Sequence, residues 1–120
     1  MHFTKEDCLN YEDALNIQNV SERVFALYLL TFKNLLIWYE PFSVNESVPD
    51  FLIKNSNYPN SPGSIVEITL LSKDKLNGRK KRQKERFANC GFKSTILCLE
   101  NLKQITKAHP TLNFYNGSKT

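Results

Sequence analysis

Cysteine is scarce in this chain and carries no pattern. Cys8, Cys90 and Cys98 are an odd number without metal-ligand spacing, which leaves no zinc site to be read and argues for reduced thiols in an intracellular protein rather than a disulfide framework. Histidine is rarer still: His2 is terminal, and His109 closes a predicted helix, where the dipole favours a cation. No apolar run approaches the length that spans a bilayer. The segment from Met1 to Ala14 is polar and acidic, without the apolar core of a signal peptide. Internal repeats and low-complexity tracts are also missing. The expectation is a soluble intracellular protein, cytoplasmic or nucleoid and nuclear, with no membrane partner; tripeptides matching a glycosylation signal at Asn19, Asn45 and Asn116 carry almost no weight there.

What is present fits one domain. A chain of 120 residues buries about two thirds of its unfolded surface, enough for a single core over 1–120 and not for two. The formal charge of +4 is modest but localised. Arg79, Lys80, Lys81, Arg82, Lys84 and Arg86 stand in one eight-residue run with Glu85 as the only acid. Such a run is by default a solvated face, yet cations on several sides of one helix favour phosphate contact, so nucleic acid is the expected partner.

Hydrophobic spacing predicts the elements. Thr4 to Asp7 opens like a helix cap, and Cys8, Tyr11 and Leu15 extend a helix over about residues 5 to 17. Asn19-Val20-Ser21-Glu22 caps a second helix reaching about Lys33. Strands follow at 35–40, ended by Pro41, at 49–53 and, beyond a turn-rich loop over 54–63, at 64–71 in the centre of the sheet. The last two should pair antiparallel. A helix from Asn77-Gly78 to Gly91 carries the basic run with Leu76, Lys80, Gln83, Phe87 and Cys90 on one face. A strand at 94–99, a helix ended by Pro110 and a tail over 111–120 complete the chain. The order α-α-β-β-β-α-β-α predicts an α/β domain, a mixed four-stranded sheet flanked by helices, with 1–18 as a helical N-terminal extension.

Two of these strands carry an acid inside an apolar run: Val48-Pro49-Asp50-Phe51-Leu52-Ile53 and Ser64-Ile65-Val66-Glu67-Ile68-Thr69-Leu70-Leu71. A carboxylate there loses hydration that apolar neighbours cannot return, so it is surface-facing, paired, or bound to a cation. Alternation puts Ile65, Glu67, Thr69 and Leu71 on one face of their strand and Val66, Ile68 and Leu70 on the other, while Asp50 and Leu52 share a face of the preceding strand; in the simplest register Asp50 and Glu67 converge. Two carboxylates with water and phosphate oxygens suit a magnesium-type ion.

With Glu22 on the preceding helix, Pro49-Asp50 opening one strand and Glu67-Ile68-Thr69 on the next, the chain resembles the PD-(D/E)XK nuclease superfamily over about residues 19 to 105. Tyr39-Glu40-Pro41 adds some similarity to transposon end-cleaving endonucleases. The resemblance implies a restriction-endonuclease-like fold and Mg²⁺-dependent hydrolysis of DNA phosphodiesters, with Mn²⁺ as a substitute, in a mobile element, virus, or restriction and repair system. Asp50, Glu67 and Glu22 are then the metal residues. Thr69 stands where the family has lysine; in such proteins the lysine can come from the following helix, which offers Lys80, with Gln83 on its face and Lys73 and Lys75 as looser candidates. Lys73 and the six cations of the basic run are the expected nucleic-acid contacts.

Plainer readings stand beside these. Pro-Asp is a common turn sequence, and a capping box alone accounts for Glu22. Glu67, between Ile65 and Leu71 on its face, is harder to explain as a surface position. Glu40 and Glu46 are rival acids that read as solvated, Trp38 and Tyr39 as core and sheet-edge residues, and Cys90 and Cys98 as buried. Thr69 also motivates an alternative function, a nuclease-fold module that binds nucleic acid without cutting it. An RNA-binding or protein-interaction domain with merely structural acids is a third. A site that cuts one strand implies a homodimer or a separate recognition protein for double-strand cleavage.

Overall fold

The computed structural model describes residues 5–43, 47–58, 60–76, 78–112 and 114, with the backbone alone of Lys5 and Arg79. After a 3-10 turn at Lys5–Asp7 come α1 (Tyr11–Leu15), α2 (Val20–Leu29), β1 (Leu35–Tyr39), β2 (Phe51–Asn55) and β3 (Ser64–Ile68). A second 3-10 turn at Lys73–Lys75 leads to α3 (Gly78–Asn89), β4 (Lys93–Leu97) and α4 (Leu99–Ala108). The protein is a small α/β domain with a four-stranded mixed sheet in the order β1-β2-β3-β4. The first three strands are antiparallel, and β4 runs parallel to β3 after the crossover through α3.

The two faces of the sheet are covered differently. On one, Phe25, Ala26 and Leu29 of α2 pack with Ile37, Phe51 and Ile68, joined by Ala14, Ile17, Leu102 and Phe114. On the other, Trp38, Leu52 and Ile65 meet Phe87 of α3. Among the described side chains of α3 only Phe87 is fully buried, so one ring moors a helix that is otherwise polar. Phe87→Ala should cost about 3–5 kcal/mol of stability. A lowered urea midpoint would register it.

Helix ends follow local chemistry. Asn19 Oδ1 accepts from the Glu22 amide at 3.0 Å and from the Ser21 hydroxyl at 2.7 Å, fixing the start of α2. The chain leaves α3 through Gly91 at φ +92°, with Phe92 N–H donating to the Phe87 carbonyl, a C-terminal stop that a residue with a Cβ adopts only under strain.

Several boundaries differ from expectation for identifiable reasons. The predicted helix over 5–17 is broken, because Leu9 N–H donates to the Ile37 carbonyl and Asn10 then caps α1 through the Asp13 amide. The second helix stops at Leu29 rather than Lys33, where the Thr31 hydroxyl takes up the Tyr28 carbonyl. β3 ends at Ile68, leaving Leu70 and Leu71 exposed. Cys98 is the N-cap of α4 and not a strand residue; its amide donates to Asn101 Oδ1. Cys90, expected to be buried, is exposed, while Cys98 is buried. Glu46, His2, Thr4, Asn45, Asn77 and the tail from 115 lie outside the described residues.

Candidate active site

The site lies where β1 ends, β2 begins and β3 ends. Phe51 is opposite Val66 and Leu52 opposite Ile65, so Asp50 and Glu67 fall opposite one another as the next pair. Leu52 and Ile65 face α3, and alternation places Asp50 and Glu67 on that same face. The ladder itself stops there. Asp50 Oδ2 instead accepts from Ile68 N–H at 2.7 Å, taking the role of a missing strand carbonyl.

Glu67 is the unusual member. It is 2% exposed, its Oε1 has no hydrogen-bond partner among the described residues, and its Oε2 lies 3.6 Å from Lys80 Nζ, an ion-pair distance rather than a hydrogen bond. Burial, then the Asp50 charge, push the Glu67 carboxyl up to about 8 against the opposing pull of Lys80. Asp50 is also raised, chiefly by burial, with the Ile68 amide, the Glu67 carboxyl beside it and Lys80 holding it down. A buried carboxyl with an unsatisfied oxygen, set against a second, half-buried one, is costly in any fold.

Glu22 approaches from the first turn of α2. Its amide is capped by Asn19, but its carboxylate turns to the sheet and accepts from the Tyr39 hydroxyl at 2.6 Å. Burial raises Glu22 above the usual carboxylate range, the Tyr39 bond lowers it, and the charges of Asp50 and Glu40 raise it further. Tyr39 is raised well above an ordinary phenol by burial and by Glu22. Among the described residues no three His, Cys, Asp or Glu side chains form a metal-binding group, so Glu22 does not share one cage with Asp50 and Glu67, although the Asp50 charge acts on it.

The remaining predicted residues divide. Lys80 reaches the pair, and Gln83 is half-buried on the same side of α3 as Phe87. The Thr69 hydroxyl accepts from the Leu71 amide at 3.2 Å, so it serves a turn. Lys73 and Lys75 are exposed in the 3-10 turn, where the Lys73 amide is held by Glu100. Lys81, Arg82, Lys84 and Arg86 are exposed; Arg86 also donates to the buried Ser47 hydroxyl at 2.9 Å, which ties α3 to the segment before β2. The Arg79 side chain lies outside the described residues.

Tyr39 is the residue that sequence reasoning missed, having been read as core or edge. Its position at a strand end beside Glu40-Pro41 was the available signal. A cleft of about 530 Å³ borders Tyr39 and Glu40, and its other acids, Asp7 and Asp13, make it hostile to phosphate. Among the described residues no helix is long and apolar enough to cross a membrane. No protein-family model, no curated protein and no solved structure matches the chain.

Proposed function

We propose that the protein is a metal-dependent endonuclease of the PD-(D/E)XK type, with a restriction-endonuclease-like fold, that hydrolyses DNA phosphodiester bonds. The observation that carries this reading is the opposed Asp50–Glu67 pair, whose orphaned buried oxygen fits a hard divalent cation such as Mg²⁺ or Mn²⁺. An ion held by Asp50 and Glu67 would supply Lewis-acid polarisation and a water activated at neutral pH. Asp50 is oriented for that task by the Ile68 amide. Lys80 brings positive charge to the edge of the pair, where a scissile phosphate would gather charge. Lys81, Arg82 and Lys84 lie exposed on the same helix, so the DNA backbone that meets them is led toward Lys80. Glu22 and Gln83 complete the surroundings. A single site of this kind cuts one strand, so a homodimer or a separate recognition protein is proposed for double-strand cleavage.

Incubation of supercoiled plasmid and branched DNA with Mg²⁺, Mn²⁺ or EDTA tests this. Nicking is expected with either metal, and none in EDTA or with Asp50→Asn. Binding that weakens with salt, ignores Mg²⁺ and leaves DNA intact would replace the proposal with a non-cutting module.

A further inference from the structure

The hydrogen bond between Tyr39 and Glu22 has no part in the chemistry described above, yet both partners are committed to it. Tyr39 is the last residue of β1 and pairs with Phe51, the neighbour of Asp50. Its ring lies 5.4 Å from that of Phe51, which lies 5.5 Å from Phe25, one turn beyond Glu22 on α2. Directly after Tyr39, the Glu40 amide donates to the Asp50 carbonyl at 2.9 Å. The phenol is thus fixed by packing and by backbone to the same strand end that presents Asp50. Its hydroxyl, at 2.6 Å from Glu22 Oε1, transfers that position to the helix.

The start of α2 does not need this bond. Its first-turn amide is capped by Asn19, and the reciprocal half of a capping box, in which the third residue's carboxylate returns to the cap amide, is given up in favour of Tyr39. Glu22 has therefore been drawn from a local helical role to the edge of the acidic site, close enough for the Asp50 and Lys80 charges to act on it.

We infer that Tyr39 is a positioning residue: it holds the Glu22 carboxylate beside Asp50 and Glu67, so that Glu22 supports a bound cation from outside the pair. This deepens the proposed function and rests on the Asp50–Glu67 pair being a cation site. Outer partners of a cation site commonly change metal affinity by ten- to a hundredfold, and Glu22, held in place by Tyr39, is such a partner. Tyr39 acts through Glu22, so its effect must vanish when Glu22 can no longer serve.

Mn²⁺ titration by calorimetry, with thermal melting as a control for folding, tests this on wild type, Tyr39→Phe, Glu22→Gln, the double variant and Asp50→Asn. Tyr39→Phe should bind Mn²⁺ about tenfold more weakly than wild type while melting cooperatively. Glu22→Gln should weaken binding at least as much, and adding Tyr39→Phe to it should change nothing further. Wild-type affinity in Tyr39→Phe overturns the inference, as does a loss of equal size in the Glu22→Gln background, which would make Tyr39 a structural prop. Should wild type and Asp50→Asn both fail to bind Mn²⁺, the cation site falls, and the role of Tyr39 with it. Binding lost in Asp50→Asn but untouched by Tyr39→Phe removes the inference alone.

Discussion

Glu67→Gln should abolish metal-dependent cleavage and yet leave the folded chain more stable than wild type in alkaline solution. The glutamine keeps the shape of the buried side chain and never ionises. In the unfolded chain Glu67 releases its proton near its ordinary 4.5, whereas in the fold it does so near 8. Between those values the folded state holds a proton that the unfolded state has lost, so stability falls as pH rises from about 4.5 through 8. The slope approaches about 1.4 kcal/mol per pH unit. Below this window wild type and variant should agree within about 1 kcal/mol; above it the variant should lead by a few kcal/mol. Asp50, also raised, leaves a weaker slope of the same sign. Urea midpoints at pH 5, 7 and 9 measure the difference, and parallel profiles for the two proteins would refute it. The same variant should lose Mn²⁺ binding, because a neutral amide cannot replace an ionised ligand. Gain of stability with loss of activity separates a working carboxylate from a structural one.

How much of this was legible follows from which forces act locally. Alternation and the simplest register bring Asp50 and Glu67 together, the turn-rich stretch before Ser64 points to an antiparallel pairing, and the register of the fold sets them opposite one another. Phe87, Lys80 and Gln83 shared a helical face in the sequence and do so in the fold, and the mixed four-stranded sheet follows from the order of the elements. The Tyr39–Glu22 bond was not legible, since it joins residues 17 apart through a sheet and a helix whose relative placement only tertiary packing decides. Leu70 and Leu71 misled for the opposite reason. They prolong an apolar run, but the last backbone bond to β4 on that side runs from the Thr69 amide to the Leu97 carbonyl, and the chain then turns, with the Thr69 hydroxyl taking the Leu71 amide. Composition gave the strand; hydrogen bonding ended it.

Lys80→Met should separate catalysis from cation binding. Thr69, where the resembled motif has lysine, spends its hydroxyl on a turn, so positive charge at the carboxylate pair has to come from α3. Lys80 supplies it from 3.6 Å, at 27% side-chain exposure, with Phe87 mooring the helix. Methionine keeps the length of the stem and removes the charge. Cleavage should fall by about 10²–10³-fold, the usual loss when a group facing developing charge is deleted. Mn²⁺ affinity should hold or rise, because a resident cation beside the pair is gone. Without Lys80 the Glu67 carboxyl is pushed higher still, since burial and Asp50 then act unopposed. Near pH 7 Glu67 is already largely protonated, so the stability cost there should stay within about 1 kcal/mol and grow above pH 8. Metal titration and single-turnover cleavage on one preparation distinguish the outcomes. Cleavage within twofold of wild type would reduce Lys80 to an ion-pair partner, and loss of Mn²⁺ binding together with cleavage would show that the helix, not the charge, had been disturbed.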